Sequence, residues 1–105
     1  MNELQLIEGC RKGERRAQKE LYDAYSRKMM GVCLRYVNDR ETARDLLQDG
    51  FMKIFTSMDS YTGSGSFEGW MRKIFVNCAL EYLRKSDVLR EATDLDNTAE
   101  LIQPD

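Results

Sequence analysis

A chain of 105 residues, 42% of them hydrophobic, is long enough for one small domain with its own core and too short for two ordinary domains. Its net charge of -2 is unevenly distributed, because residues 1–90 carry all 16 Lys and Arg against 13 acids and residues 91–105 carry five acids and no base. The charge of +3 on the body is a weak indication of a nucleic-acid partner, since DNA-binding domains are usually far more basic.

The residues that bind metals or react with substrates are scarce in this chain. Histidine is absent, and the cysteines Cys10, Cys33 and Cys78 lack the close spacing of zinc ligands. We therefore expect reduced thiols in the core, no metal, no cofactor and no catalytic residue. No phosphate-binding glycine loop joined to a strand is evident either, so an enzyme is not expected. The sequence shows no signal peptide and no run of ~20 apolar residues, which favours a cytoplasmic protein.

Apolar residues recur at helical spacing in four segments and predict an all-α fold. The predicted helices cover residues 3–12, 14–37, 40–58 and 66–85. Their predicted core faces include Leu4 on the first helix and Tyr82 on the fourth. Gly13 is placed to end the first helix, Asp39 to cap the third and Ser66 to cap the fourth.

This pattern predicts a compact bundle of about four helices, with a flexible loop before the last helix. Residues 1–86 form the predicted domain. Residues 87–105 lose the periodicity and become acidic, so we expect them to form a linker or a disordered tail.

The segment from Ser60 to Ser66 is a loop by composition. It bears one aromatic residue, Tyr61, and two glycines, Gly63 and Gly65, which allow the backbone to approach a ligand closely. Composition alone favours a flexible connector. Single-stranded bases nevertheless require aromatic rings, backbone amides and nearby basic residues, which this loop and its surroundings offer.

Two helix faces carry residues that packing does not require. On the third predicted helix these are Asp45, Gln48, Asp49, Met52 and Lys53, and the simplest interpretation of that face alone is a solvated surface. On the fourth, apolar residues share the outer side with basic and amide residues, namely Arg72, Lys73, Val76, Asn77, Leu80 and Arg84. A contact surface and a solvated face are about equally compatible with this second pattern.

Two stretches resemble a known family. Residues 43–55, ARDLLQDGFMKIF, resemble the second conserved block of region 2 in sigma-70 family factors. Residues 67–85 are similar to the DNA-handling block that follows it in the extracytoplasmic-function group. The resemblance covers about residues 3–86, in order and with the expected spacing. It implies a helical promoter-opening domain that binds core RNA polymerase and captures the melted minus-ten element.

The resemblance also implies roles for particular residues. Those that correspond to the contacts with the clamp helices of the largest polymerase subunit are Asp45, Gln48, Asp49 and Phe55. The pocket for a base flipped from the non-template strand corresponds to Asn77 together with the loop residues Tyr61, Thr62, Gly63, Ser64, Gly65 and Ser66. The adjoining strand or its phosphates would be held by Arg72, Lys73 and Arg84.

Departures from the family pattern leave other interpretations open. Aromatic residues that principal sigma factors use to open the duplex are fewer here, and no helix-turn-helix for the minus-35 element follows in this sequence. The chain therefore resembles an isolated or excised domain in which residues 87–105 begin a linker.

An anti-sigma factor is a further partner that the family admits. The alternative is a sigma-like protein-interaction domain that binds polymerase or an anti-sigma protein without any DNA function.

Overall fold

The computed structural model describes the backbone of residues 1–101 and the side chains of residues 1–87. Within this range the elements are α1 (Glu3–Arg11), α2 (Arg15–Leu34), α3 (Arg40–Thr56), a 3₁₀ helix at Met58–Ser60, and α4 (Phe67–Leu101). The described residues contain no strand, and the predicted all-α bundle of four helices is confirmed. No helix in this part of the chain is both long enough and apolar enough to cross a membrane.

Local signals in the sequence explain where the helices begin and end. Asn2 and Gln5 form a reciprocal capping box at the start of α1, with bonds of 2.8 and 3.0 Å. As predicted, Asp39 caps α3 by accepting the Thr42 N–H at 2.8 Å. The Thr42 hydroxyl and N–H also hold the pKa of Asp39 below its usual value. Gly13 follows α1 in the left-handed region, at φ +74°, and turns the chain into α2.

The core lies where α2, α3 and α4 meet, and one close approach sets the spacing of α3 and α4. A Cβ atom on Gly50 of α3 would lie 2.2 Å from the ring of Phe75 on α4. The Phe75 ring also meets the Phe51 ring edge-on, with centroids 5.1 Å apart. The helices therefore pack closely because position 50 has no side chain. α1 packs closely on α2 for the same reason, because a Cβ atom on Gly9 would lie 2.5 Å from the Cβ atom of Ala17.

All three cysteines are buried and free, as predicted. Burial raises the pKa of each thiol, and that of Cys33 rises to about 11, so these thiols stay protonated at neutral pH. Among the described residues no group of three His, Cys, Asp or Glu side chains is placed to hold a metal ion.

The structure departs from the sequence prediction at two apolar residues. Leu4 is 76% exposed, because the buried face of α1 is centred on Leu6, Ile7 and Cys10. Tyr82, predicted to lie in the core, is 39% exposed.

The end of the last helix also differs from the prediction. α4 extends to Leu101, well beyond the end predicted near Lys85. Loss of amphipathic spacing marks where packing ends, whereas the backbone can remain helical beyond that point, and no Gly or Pro, the strongest helix breakers, occurs between residues 86 and 101. Residues 102–105 lie outside the described residues, and the linker or tail role of residues 87–105 stays a prediction.

Gly50→Ala should lower the free energy of unfolding by about 1–3 kcal/mol, because the new methyl group overlaps the Phe75 ring. The matched control is Gly31→Ala on α2, whose Cβ would meet nothing within 4 Å. That change should stabilise the domain by about 0.5–1 kcal/mol through higher helix propensity. Urea unfolding followed by circular dichroism measures both. Similar effects of the two substitutions would contradict the close crossing of α3 and α4.

Candidate nucleic-acid interface

The loop between the 3₁₀ helix and α4, residues 61–66, is tied together at both ends. Gly63 and Gly65 have φ angles of +87° and +81°, which residues with a side chain rarely adopt. The Tyr61 hydroxyl donates a hydrogen bond of 2.8 Å to the Gly65 carbonyl oxygen. A single side chain therefore joins the first residue of the loop to its last glycine and defines the path between them.

The loop ends at the cap of α4. The Ser66 Oγ accepts the Gly69 N–H at 2.8 Å, as the sequence predicts for a cap at this position. Glu68 lies in the first turn of α4, where its negative charge interacts favourably with the positive end of the helix dipole. The cap fixes the angle at which the loop enters the helix.

Tyr61 lies beneath the loop, in a cluster of aromatic rings. Its ring centroid is 5.2 Å from that of Phe67 and 5.4 Å from that of Trp70, and the side chain is only 7% exposed. The Tyr61 ring therefore offers no open face to a base in this structure, because its aromatic neighbours bury it, and its part in DNA binding stays a prediction. Trp70 is half-buried and reaches the surface beside the loop.

A groove of about 590 Å³ separates the loop from the first turns of α4. Its lining residues are Ser64, Gly65, Ser66, Gly69, Trp70, Arg72, Lys73 and Val76. The groove thus combines an aromatic face, backbone amides, hydroxyl groups and two positive charges, which are the groups that bind a single-stranded base and its phosphate. Five residues predicted to bind nucleic acid lie around it, namely Ser64, Gly65, Ser66, Arg72 and Lys73.

Asn77 does not line this groove. It is exposed one turn beyond Lys73, and helical spacing places Lys73, Asn77, Leu80 and Arg84 along one stripe of α4. Leu80 is exposed within the stripe, although it is apolar. The predicted single pocket of loop and Asn77 is therefore not formed, and the stripe instead leads away from the groove. Thr62 and Gly63 are exposed in the loop but do not line the groove either.

The two basic residues of the groove have different surroundings. Arg72 Nη2 lies 2.9 Å from a carboxylate oxygen of Glu68, and the other Glu68 oxygen lies 3.1 Å from Lys28 of α2. Lys73 forms no ion pair with residues 1–87. Lys73 is therefore the cation of the groove whose charge is least offset by the protein itself.

A second surface lies on α3. Asp45, Gln48 and Asp49 are exposed, as predicted, and their side chains form no hydrogen bond or ion pair with residues 1–87. Met52, which shares this face at helical spacing, is 64% exposed. An apolar side chain so exposed amid polar ones is typical of the centre of a protein contact.

Two other residues of α3 play a more structural part. Phe55 is half-buried, and its ring centroid lies 6.0 Å from that of Phe51, so it borders the exposed face without standing on it. Lys53 donates a hydrogen bond of 3.2 Å to Glu81 of α4, which lowers the pKa of that carboxyl. Lys53 therefore helps to join α3 to α4.

Comparisons with known proteins bear on these two surfaces. The sequence profile of the family described as Sigma-70 region 2 matches residues 21–88. A solved structure with a TM-score of 0.72 and 30% identity, covering 83% of this chain and 95% of its own, is the NMR structure of an engineered region 2 of sigmaE in complex with GTAAAA. This chain belongs to the sigma-70 region 2 family.

Relatives named as factors of the extracytoplasmic-function (ECF) group are among its matches, as the sequence predicts. The chain is 35% identical over 78 residues to the ECF RNA polymerase sigma-E factor of Haemophilus influenzae. The matched segment covers 74% of this chain and 41% of that protein. It is 32% identical over 96 residues to the RNA polymerase sigma-H factor of Pseudomonas aeruginosa, covering 91% and 49% respectively. The chain thus spans about half the length of the curated relatives it matches.

Ser66→Ala should lower the free energy of unfolding by about 1 kcal/mol, because α4 loses the side chain that accepts the Gly69 N–H. Ser66→Asp keeps an acceptor for this bond and should retain most of the stability, while it places a negative charge at the groove. Ser64→Ala, in the same loop, controls for the loss of a hydroxyl that caps no helix. Thermal unfolding measures all three. If Ser66→Asp is as unstable as Ser66→Ala, the cap does not act as described.

Proposed function

We propose that this domain is the promoter-opening part of an extracytoplasmic-function sigma factor, which docks on core RNA polymerase and captures the non-template strand of the melted minus-ten element. The observation that carries the proposal is the groove between Ser64–Ser66 and the side chains of Trp70 and Lys73. It offers the groups that single-stranded DNA requires, in a chain whose solved relative is bound to GTAAAA.

The groove is suited to a base that has left the stack. Extrusion of a base costs a few kcal/mol, and stacking on an aromatic face such as that of Trp70 returns about 1–3 kcal/mol. Hydrogen bonds supply the remainder. Gly65 and Ser66 line the groove, and their backbone amides are the loop donors available to the edge of the base.

The stripe on α4 extends the contact along the strand. From Lys73 to Arg84 the helix rises roughly 16 Å, so the stripe is long enough to contact more than one nucleotide. Lys73 and Arg84 attract phosphates. Asn77 lies between them, and its amide both donates and accepts, so it can distinguish one base edge from another where a positive charge cannot.

The exposed face of α3 is the proposed docking surface for the polymerase clamp helices. Asp45, Gln48 and Asp49 supply polar and negative groups around the apolar side chain of Met52, which is the arrangement of a protein contact with an apolar centre and a polar rim. None of these residues lines the groove beside α4. One domain can therefore bind polymerase and DNA at the same time.

This function is binding rather than catalysis, and it places the domain in the cytoplasm, where the polymerase and the promoter are. An anti-sigma protein that covered either surface would block it. The alternative, a sigma-like interaction domain without DNA function, uses the α3 face but needs neither the groove nor the stripe. Binding to single-stranded DNA separates the two.

Lys73→Ala should weaken binding to the single-stranded hexamer GTAAAA and to its single-base variants by the same factor, because it removes a contact to the backbone. The slope of log K against log salt concentration should become shallower by about 0.7, which is the value for one phosphate contact to a single strand. Asn77→Ala should instead abolish a preference at one position and leave the slope unchanged.

Fluorescence anisotropy across a salt series measures both effects. The matched control is Lys19→Ala on α2, which removes the same charge from an exposed residue outside the groove. If the wild-type domain binds none of the hexamers, the chain is an interaction domain without DNA function.

The double substitution Gln48→Ala with Asp49→Lys should weaken binding to core polymerase at least tenfold, since central interface residues of this kind typically contribute ~2 kcal/mol or more. Asp23→Lys is the matched control, because it reverses an exposed charge on α2, outside the proposed surface. Pull-down affinity and circular dichroism are measured together. A double variant that stays helical and binds polymerase as well as the wild type would show that α3 is not the docking surface.

A further inference from the structure

Arg11 on α1 bonds to the segment that leads into the loop. Its Nη2 donates to the Tyr61 carbonyl oxygen at 2.6 Å, and its Nε donates to the Met58 carbonyl oxygen at 3.5 Å. These partners are 50 and 47 residues away in the sequence. One turn earlier in α1, Glu8 lies 3.7 Å from the remaining nitrogen, Nη1. The guanidinium group is thus held on α1 and directed at the start of the loop.

Tyr61 transmits this constraint to the groove. Its carbonyl oxygen accepts from Arg11, its ring packs against Phe67 and Trp70, and its hydroxyl donates to the Gly65 carbonyl oxygen at 2.8 Å. Gly65 lines the groove itself. A continuous series of direct contacts therefore runs from Arg11 through Tyr61 to Gly65.

We propose that Arg11 is a positioning residue for the nucleic-acid groove, which holds residues 61–65 in the conformation that binds a base. This inference rests on the proposed binding of DNA at that groove. A loop that occupies its binding conformation only part of the time binds with an affinity reduced by that fraction. A hydrogen bond from a charged donor is roughly twice as strong as one between neutral groups, so the short bond from Arg11 to the Tyr61 carbonyl oxygen is a strong restraint on the start of the loop.

Arg11 does not line the groove. Two of its nitrogens donate hydrogen bonds to carbonyl oxygens of the same chain. The apolar core contact of α1 is made by other side chains, Leu6, Ile7 and Cys10. Its effect on DNA therefore passes through the conformation of the loop.

The test compares Arg11→Met with Lys12→Met. Methionine keeps much of the apolar stem of arginine and removes its donors. Lys12→Met removes the same charge from the next residue, whose side chain forms no hydrogen bond or ion pair with residues 1–87. Both variants are titrated with GTAAAA and with its single-base variants across a salt series, and both are tested for binding to core polymerase.

Arg11→Met should weaken the binding of GTAAAA on the order of tenfold and weaken less the single-base variant that does not fill the groove, so that the preference falls with unchanged salt dependence and unchanged polymerase binding. Lys12→Met should leave the preference intact. Tyr61→Phe provides an independent variant, because it removes only the hydroxyl bond to Gly65 and changes no charge. It should reduce the same preference, and it keeps the test valid if Arg11→Met fails to fold.

Amide hydrogen exchange of residues 62–65 without DNA gives a second measurement, and it should be faster in Arg11→Met and in Tyr61→Phe. Equal weakening for all hexamers with a lower salt slope would make Arg11 a phosphate contact and overturn the proposal. Unchanged preference with unchanged exchange would overturn it as well. If even the wild type binds no DNA, the proposed function fails, whereas the exchange rates still decide whether Arg11 holds the loop.

Discussion

The backbone of α3 at Gly50 lies against the ring of Phe75 on α4, at a separation that no side chain at position 50 would permit. Gly50 directly follows Asp49 on the proposed polymerase face, and Phe75 comes two residues before Asn77 on the proposed DNA stripe. This contact therefore sets the relative position of the two functional surfaces. Packed interiors are dense and have low compressibility. A force that a partner exerts on α3 is therefore passed to α4 through this contact without being absorbed by the core.

Much of the fold could be predicted because its signals are local. A cap such as Asp39 or Ser66 acts on a backbone amide three residues away, and the apolar spacing of a helix repeats within two turns. The exposure of Leu4 and Tyr82 could not be predicted in the same way, since it depends on which side of each helix its neighbours cover. The continuation of α4 to Leu101 was missed because spacing reports packing and not backbone conformation.

The exposed residues of the candidate site could be predicted from the sequence, whereas the buried contacts that hold its loop in place could not. Lys73 and Asn77 share the outer side of α4 with the apolar residues Val76 and Leu80, so the residue types alone mark a surface. The burial of Tyr61 and its bond to Arg11 join positions 50 residues apart, which no local pattern indicates. Trp70 could have been found from its place at the edge of the apolar face, where a large ring is covered on one side only.

Ser64 stands between two glycines whose positive φ angles fix the turn of the loop. Its side chain is exposed and outside the core, and its N–H makes only a long contact of 3.4 Å with the Thr62 hydroxyl. The flanking glycines cannot change without strain, whereas position 64 can accept many residue types at little cost to folding. Ser64 lines the groove. Under the proposed function, base preference at the groove can therefore diverge by single substitutions at this position while thermal stability is preserved, so that the two properties evolve independently.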